Sequence, residues 1–260
     1  MKKDTQETST TGLQPSLQTV VVTGASSGIG AAIALYLAEL GHHVVTVQRS
    51  APNFLGQQGL GVVDFIEADL SHAQGVHNVC ERLSQHYEVG YLVNNAGVNR
   101  PGNIDTVTAD DLDAVWHLNL KAPVALIQAV LPGMRNRGFG RIVNISSRAI
   151  LGKTERIAYA SSKAALVGLT RSLCLEVAAK GITVNTVAPG PVGTALFDNG
   201  HPIGSEKRAR VIASVPVKRV GLPIDIARAV AFFLSPESSF ITGQTLFVCG
   251  GVSVSGSGGV

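Results

Sequence analysis

Apolar runs and apolar stripes alternate along this chain. Thr19–Thr23 (TVVVT) is a short run of β-branched residues, the pattern of a strand buried on both faces. Similar runs fall at 43–47, 62–67, 91–93, 141–145, 182–187 and 244–248. Between them the apolar positions take helical spacing. Such stretches cover 29–40, which ends at Gly41, and 72–87, with Val76, Val79, Cys80 and Leu83 on one face. They continue at 108–118, 120–136 and 157–179, with shorter ones near 205–213 and 223–234. Residues 188–204 are rich in Pro and Gly and poorly periodic. Strands alternating with helices predict an α/β fold, a parallel sheet covered on both faces with right-handed crossovers. No break marks a second domain. The pattern predicts a flexible polar tail over 1–17, one domain over 18–251 and a Gly/Ser-rich tail over 252–260.

Composition narrows the function classes. The 260 residues are 45% hydrophobic and only 15% charged, as in a core-rich protein. A net charge of +3 on scattered basic residues predicts no nucleic-acid or membrane partner. Cys80, Cys174 and Cys249 fit no zinc or redox spacing and read as three buried, reduced thiols, with no metal site. Lys2, Lys3 and Asp4 lead into a polar segment rather than an apolar leader, and no apolar run of about 18 residues is evident. The expectation is a cytoplasmic protein.

The first chemical signal lies between the first strand and the first helix. Gly24, Gly28 and Gly30 punctuate a turn that also holds Ser26, Ser27 and Ile29. Gly24 permits a tight turn, Gly28 lets backbone approach a pyrophosphate, and Gly30 lets helix and sheet pack closely. The helix N-terminus then offers free N–H groups to phosphates. At the end of the second strand stand Gln48 and Arg49, where an acid would accept bonds from a ribose 2′-hydroxyl. Arg49 instead suits a 2′-phosphate, which favours NADP(H) over NAD(H). Asp69, with Leu70 beside it, is placed either to accept a bond from an adenine amino group or to sit near a helix N-cap.

The second signal is Tyr159 and Lys163, four apart on one helix face. A phenol is a weak acid at neutral pH, and an ammonium one turn away lowers its pKa. Such a pair can pass a proton to or from an alcohol oxygen.

TGASSGIG at 23–30, NNAG at 94–97, Asn119, VNISS at 143–147, YASSK at 159–163 and VNTVAPGPVGT at 184–194 together resemble the short-chain dehydrogenase/reductase family, across nearly all of 19–251. The resemblance implies a single-domain Rossmann fold, a doubly wound parallel sheet of about seven strands with helices on both faces. It implies Tyr159 as catalytic acid/base, Lys163 on the nicotinamide-ribose hydroxyls and as the lever on the Tyr159 pKa, and Ser147 on the substrate oxygen. Asn119 would hold a water linking Lys163 to solvent. Asn95, Ala96 and Gly97 would border the adenosine ribose, and Pro189, Gly190, Val192 and Thr194 would cradle the nicotinamide. Ser147 precedes Tyr159 by twelve residues, one fewer than in many members. Ser146 would restore the count, but Ser147 matches the second serine of the family's pattern.

The implied function is NADP(H)-dependent reduction of a ketone or 3-oxoacyl thioester. The alternatives are an NAD-linked secondary alcohol dehydrogenase and, more remotely, a non-catalytic NAD(P)-binding sensor. Partners would be a small-molecule ketone or alcohol, an acyl carrier protein met by Lys180 and Arg137, and further copies of the chain in a homotetramer. A solvated charged face is the plainer account of Arg135, Arg137, Arg141 and Lys180. Arg148 and Arg156 read as solvated loop arginines in preference to contacts with an acidic substrate. His117 reads as a packing residue. Substrate choice falls to residues 149–157 and 194–215, where Leu151, Phe197 and Ile203 suggest a partly apolar pocket.

Overall fold

A computed structural model describes residues 19–57 and 59–255; the tail expected over 1–17 and the end of the C-terminal tail lie outside them. In chain order the elements are β1 (Thr19–Thr23), α1 (Gly28–Glu39), β2 (Val44–Gln48), β3 (Val63–Glu67), α2 (Ala73–His86), β4 (Val89–Asn94), α3 (Ala109–Trp116), α4 (Ala122–Arg137), β5 (Gly140–Ile145), α5 (Ile157–Val177), β6 (Ile182–Pro189), α6 (Ala195–Gly200), α7 (Glu206–Ser214), α8 (Pro223–Leu234) and β7 (Thr245–Val248). The seven strands form one parallel sheet in the order β3-β2-β1-β4-β5-β6-β7.

The unbroken apolar strands follow from burial on both faces. Val21, Leu92, Ile142 and Val184 point to one side, where α2, α4 and α5 contribute Val79, Leu126 and Val177. Val20, Val22, Val93 and Val143 point to the other, where α1 and α8 contribute Ile33, Leu37, Ile226 and Val230. Each such fully buried side chain stabilises the fold by roughly 1.5–3 kcal/mol. The strand order reverses between β1 and β4, so the crossovers diverge and leave a crevice beyond the carboxyl ends of these strands.

Four expectations change. Residues 108–118 and 120–136 are not separate helices: α3 and α4 are joined through one π-helical turn, His117–Lys121, with Asn119 fully buried at its centre. The joined run Ala109–Arg137 is long and apolar enough to cross a membrane by length and composition, against the expectation of no such stretch. Its apolar side chains Leu126, Ile127, Val130 and Met134 are instead spent in the core. The aperiodic stretch 188–204 holds the end of β6 and the short helix α6, started by Thr194 accepting a hydrogen bond from the Phe197 amide. Finally, Val252, assigned to the C-terminal tail, is buried with Val215 and Cys249.

Side-chain expectations change as well. Cys174 and Cys249 are buried but Cys80 is only half-buried. Arg141 is not on a solvated face: it is buried on β5, donates to the Gly140, Gly181, Ser235 and Pro236 carbonyls and lies over the Phe139 ring. Arg137 turns inward to the Val89 carbonyl. Arg135 and Lys180 are exposed.

Candidate active site

The crevice opens into a cleft of about 730 Å³. One wall is the glycine turn. Its shape is fixed by β4 rather than by its own side chains: Asn95 donates to the Thr23 and Gly24 carbonyls at 2.9 and 3.0 Å. The Thr23 hydroxyl accepts from the Asn95 and Ala96 amides, each at 3.0 Å. From β2, the Gln48 side chain accepts from the Ala25 amide. Gly24 has φ of +68° and Gly28 of +58°, where a Cβ is strained. A Cβ on Gly30 would run into the Gly24 carbonyl and Asn95, so this glycine packs against the turn and not against the sheet as expected. Ser27 sits at the N-cap of α1 without a side-chain cap, and the first turn holds no acid. The helix therefore presents bare N–H groups and its positive end to the cleft.

The opposite wall comes from β5 and α5. Ser146 and Ser147 follow one another at the strand end, and their roles separate. The Ser146 hydroxyl is buried and donates to the Lys163 carbonyl at 2.8 Å. The Ser147 side chain accepts from the Ala149 amide at 3.1 Å and hydrogen-bonds Tyr159. Burial raises the Tyr159 pKa; the Ser147 bond and then the Arg156 charge act against it. The Lys163 ammonium lies 5.9 Å from the Tyr159 ring centre and donates to the Ile145 carbonyl at 2.7 Å. Burial lowers the Lys163 pKa from 10.5 to about 8.

Asn119 supports this wall from behind. Its side-chain oxygen accepts from the Val98 amide at 2.8 Å. Its nitrogen donates to the Val98 carbonyl and to Ser162, both at 3.0 Å. A Cβ on Gly97 would lie 3.1 Å from Asn119 Oδ1 and 3.2 Å from Lys163 Nζ, so a glycine there lets both approach the chain. Asn144 is fully buried between Asn94 and Thr170.

The cleft brings together Ser27, Gly28, Ile29 and Gly30 with Asn95, Gly97, Ser147, Tyr159 and Lys163. From the far side it adds Pro189, Gly190, Val192 and Thr194. Gly24 and Ala96 stand behind the turn, Ser26 is exposed, and Leu70 is buried in the core. Arg49 and Asp69 also lie off the cleft, beyond β2 and β3, and Arg49 is near enough to act on the Asp69 charge. Hydrogen bonds from Ser71 chiefly hold that carboxyl below its usual range. Of the suggested apolar pocket, Phe197 lines the cleft, whereas Leu151 and Ile203 do not and are exposed.

Lys153, Lys207 and Arg210 also line the cleft, within the segments 149–157 and 194–215 to which substrate choice was assigned but not singled out there, and Val252 lines it from outside those segments. Arg148 and Arg156, read as solvated, line it too. The one signal was the basic character of α7, EKRARVIAS, whose orientation the sequence could not give. Among the described residues no group of His, Cys, Asp or Glu is placed to hold a metal ion.

A family model described as enoyl-(acyl carrier protein) reductase matches residues 24–253. The chain is 38% identical over 240 residues to a 3-oxoacyl-[acyl-carrier-protein] reductase of Vibrio cholerae, covering 89% of this chain and 96% of that protein. It is 37% identical to the protein of that name from Rickettsia bellii, over 90% of this chain and 96% of that one. Among solved structures, a putative NAD(P)-dependent gluconate 5-dehydrogenase from Beutenbergia cavernae superposes with a TM-score of 0.85 at 38% identity, over 90% of this chain and 96% of that one. A 3-oxoacyl (acyl-carrier-protein) reductase from Agrobacterium tumefaciens with NADP bound gives 0.84 at 32% identity, over 90% and 93%.

Proposed function

The chain belongs to the short-chain dehydrogenase/reductase family, and we propose that it reduces a ketone or 3-oxoacyl group to a secondary alcohol with NADP(H). The observation that carries the reading is the hydrogen-bonded Ser147–Tyr159 pair on the wall of a cleft whose other wall is a bare helix N-terminus.

The residues present fit the cofactor. The N-terminus of α1 suits the pyrophosphate, and the positive φ at Gly24 and Gly28 keeps side chains out of its way. Arg49, with Gln48 in place of an acid, suits a 2′-phosphate. Lys163 would hold the nicotinamide-ribose hydroxyls, and Val192 and Thr194 the nicotinamide. A nicotinamide held there would supply the hydride that the carbonyl carbon needs. Tyr159 supplies the proton to the oxygen. Burial keeps its phenol protonated at neutral pH, which is the form a reductase needs. The Ser147 side chain is held by the Ala149 amide and turns its own proton to the Tyr159 oxygen, from which it would pass to a substrate oxygen where charge develops. Lys163, already lowered to about 8, exchanges protons at working pH more readily than a solvated lysine. Asn119 commits its side chain to Val98 and Ser162, and a water linking Lys163 to solvent would lie beside it. Oxidation of an alcohol uses the same groups in reverse.

Of the two residues that could meet an acyl carrier protein, Lys180 is exposed while Arg137 is tied to Val89, which favours a small ketone over a carrier-bound one. A homotetramer is supported by the outward-facing Leu175 on α5, 85% exposed, and by the fully exposed Phe240. Three free thiols among the described residues suit the cytoplasm.

The test is Tyr159→Phe. Turnover of ketones with NADPH should fall by about three orders of magnitude, while NADPH binding, followed by its fluorescence, stays nearly as tight. Retained turnover would remove Tyr159 as the proton donor, and intact binding without turnover in the unaltered protein would favour the sensor.

A further inference from the structure

The substrate side of the cleft is rimmed by cations. Arg148, Lys153 and Arg156 stand on the segment joining β5 to α5, and Lys207 stands on α7; all four line the cleft. Lys153 is where they meet, since Arg156, Arg148 and Lys207 all act on its charge. The cluster begins beside the reacting oxygen, because the Tyr159 phenol also feels Arg156. Arg210, further along α7, lines the cleft as well but is paired with Glu206 at 2.9 Å. Glu155 is the only carboxylate among the lining residues.

This concentration is local. The chain as a whole is nearly balanced, with 21 basic and 18 acidic residues. Among the described residues Lys153, Arg156 and Lys207 form no ion pair with a carboxylate. Arg156 spends one guanidinium nitrogen on the neighbouring Glu155 carbonyl, and Glu155 takes a positive φ of 56° where the segment bends. Desolvation at the wall, then repulsion from its neighbours, lowers the Lys153 pKa. Like charges gathered in a concave site cost free energy alone and focus a positive potential on whatever enters. The cofactor phosphates do not account for them: α1 and Arg49 lie on the β1–β2 side, whereas these cations come from beyond β5 and from α7.

We infer that the ketone this protein reduces carries an anionic group, a carboxylate or a phosphate ester, seated on Lys153, Arg156 and Lys207 while its carbonyl lies on Tyr159 and Ser147. The inference rests on the reductase reading and adds the substrate class. The anion lies within a few bonds of the carbonyl, since Arg156 serves both ends. Phe197 lines the same cleft, stacked on His201 at 4.4 Å, and gives the uncharged part of the substrate an apolar surface.

The test uses matched pairs and a protein that cannot turn over. Tyr159→Phe protein saturated with NADP+ is titrated calorimetrically with 4-oxopentanoate and its methyl ester, and with dihydroxyacetone phosphate and dihydroxyacetone. In at least one pair the charged member should bind about tenfold tighter, and the pair that responds tells carboxylate from phosphate. The preference should shrink with added salt and collapse toward unity when Lys153→Gln and Lys207→Gln are added. No preference in either pair, absence of binding included, overturns the inference. So does a preference that survives both lysine changes. Tight binding of an acetoacetyl carrier-protein thioester that those changes leave unaltered also overturns it, placing the acidic partner on another surface. Reduction of neutral ketones by the unaltered protein would then keep the reductase reading standing while the anionic substrate falls.

Discussion

The glycine turn at one end of the cleft and helix α7 at the other hold their places by different means. At the turn, Thr23, Gln48 and Asn95 are each committed to backbone groups from neighbouring strands, and the glycines leave no room for anything else. At α7 two long cations, Lys207 and Arg210, face the cleft beside Val211 and Ser214, and Val211 is the one buried residue of this short helix. The turn is part of the core and recognises what every relative of the same chemistry must bind. The helix is an attachment to the core and can change its side chains at little cost to the fold. Stability and substrate choice are thus separated in space.

The sharpest way to break that contrast is Gly30→Ala. The added methyl would press on the Gly24 carbonyl and the Asn95 amide, neither of which can move without unfastening β1 from β4. We expect a loss of about 3 kcal/mol or more, seen in thermal or urea unfolding, with NADPH binding lost in parallel. Lys207→Gln on α7 should alter unfolding by less than about 0.5 kcal/mol. Comparable losses at both positions would mean that the two ends are not built differently.

The same contrast explains what was legible. A turn that only glycine can make, and strands buried on both faces, leave a pattern in one sequence, so the sheet, its seven strands and the residues along the turn were readable. Helix α6 was not: at six residues it is too short for a period, and it depends on the Thr194 cap. The π turn at His117–Lys121 was read as a gap between two helices, because one extra residue per turn breaks the apolar stripe without breaking the helix. Arg141 was read as solvated because a buried guanidinium needs several carbonyl partners, here from three separate segments, and no local pattern announces them. The cationic rim was missed for the opposite reason: charges facing a cleft and charges facing water have the same sequence signature.

Lys163 sits on the seam between the two ends and sharpens the comparison through pH. Burial lowers its pKa from 10.5 to about 8. Below about pH 8 folded and unfolded chains both carry the proton, and the folded one bears the full cost of a buried ammonium. Between 8 and 10.5 the unfolded chain holds more of the proton than the folded one, so this group's contribution to stability rises with pH. The rise is on the order of 3 kcal/mol across that window. Unfolding measured at intervals from pH 7 to 10 should show it as a difference between the protein and Lys163→Met, in which the rise is absent. Parallel pH curves would show that the Ile145 carbonyl and its surroundings solvate the ammonium as well as water does.

Arg156 gives the smallest effect and the finest distinction, because it belongs to both the chemistry and the rim. For ketone reduction the protonated phenol is the active form, so the alkaline limb of the kcat profile reports the Tyr159 pKa. The Arg156 charge stabilises the phenolate and holds that pKa down against burial. Arg156→Gln removes the charge, so the limb should move to higher pH. At neutral pH, where the phenol is protonated either way, kcat at saturating substrate should change by less than about fivefold. A neutral ketone must be the substrate for this measurement, so that loss of an anion contact does not enter. If the limb stays in place, Arg156 acts on the substrate alone and the proton-donating pair is insulated from the rim. If it moves as expected, the cationic rim is continuous with the catalytic wall, and an anion seated on it would raise the Tyr159 pKa and favour proton donation over proton removal.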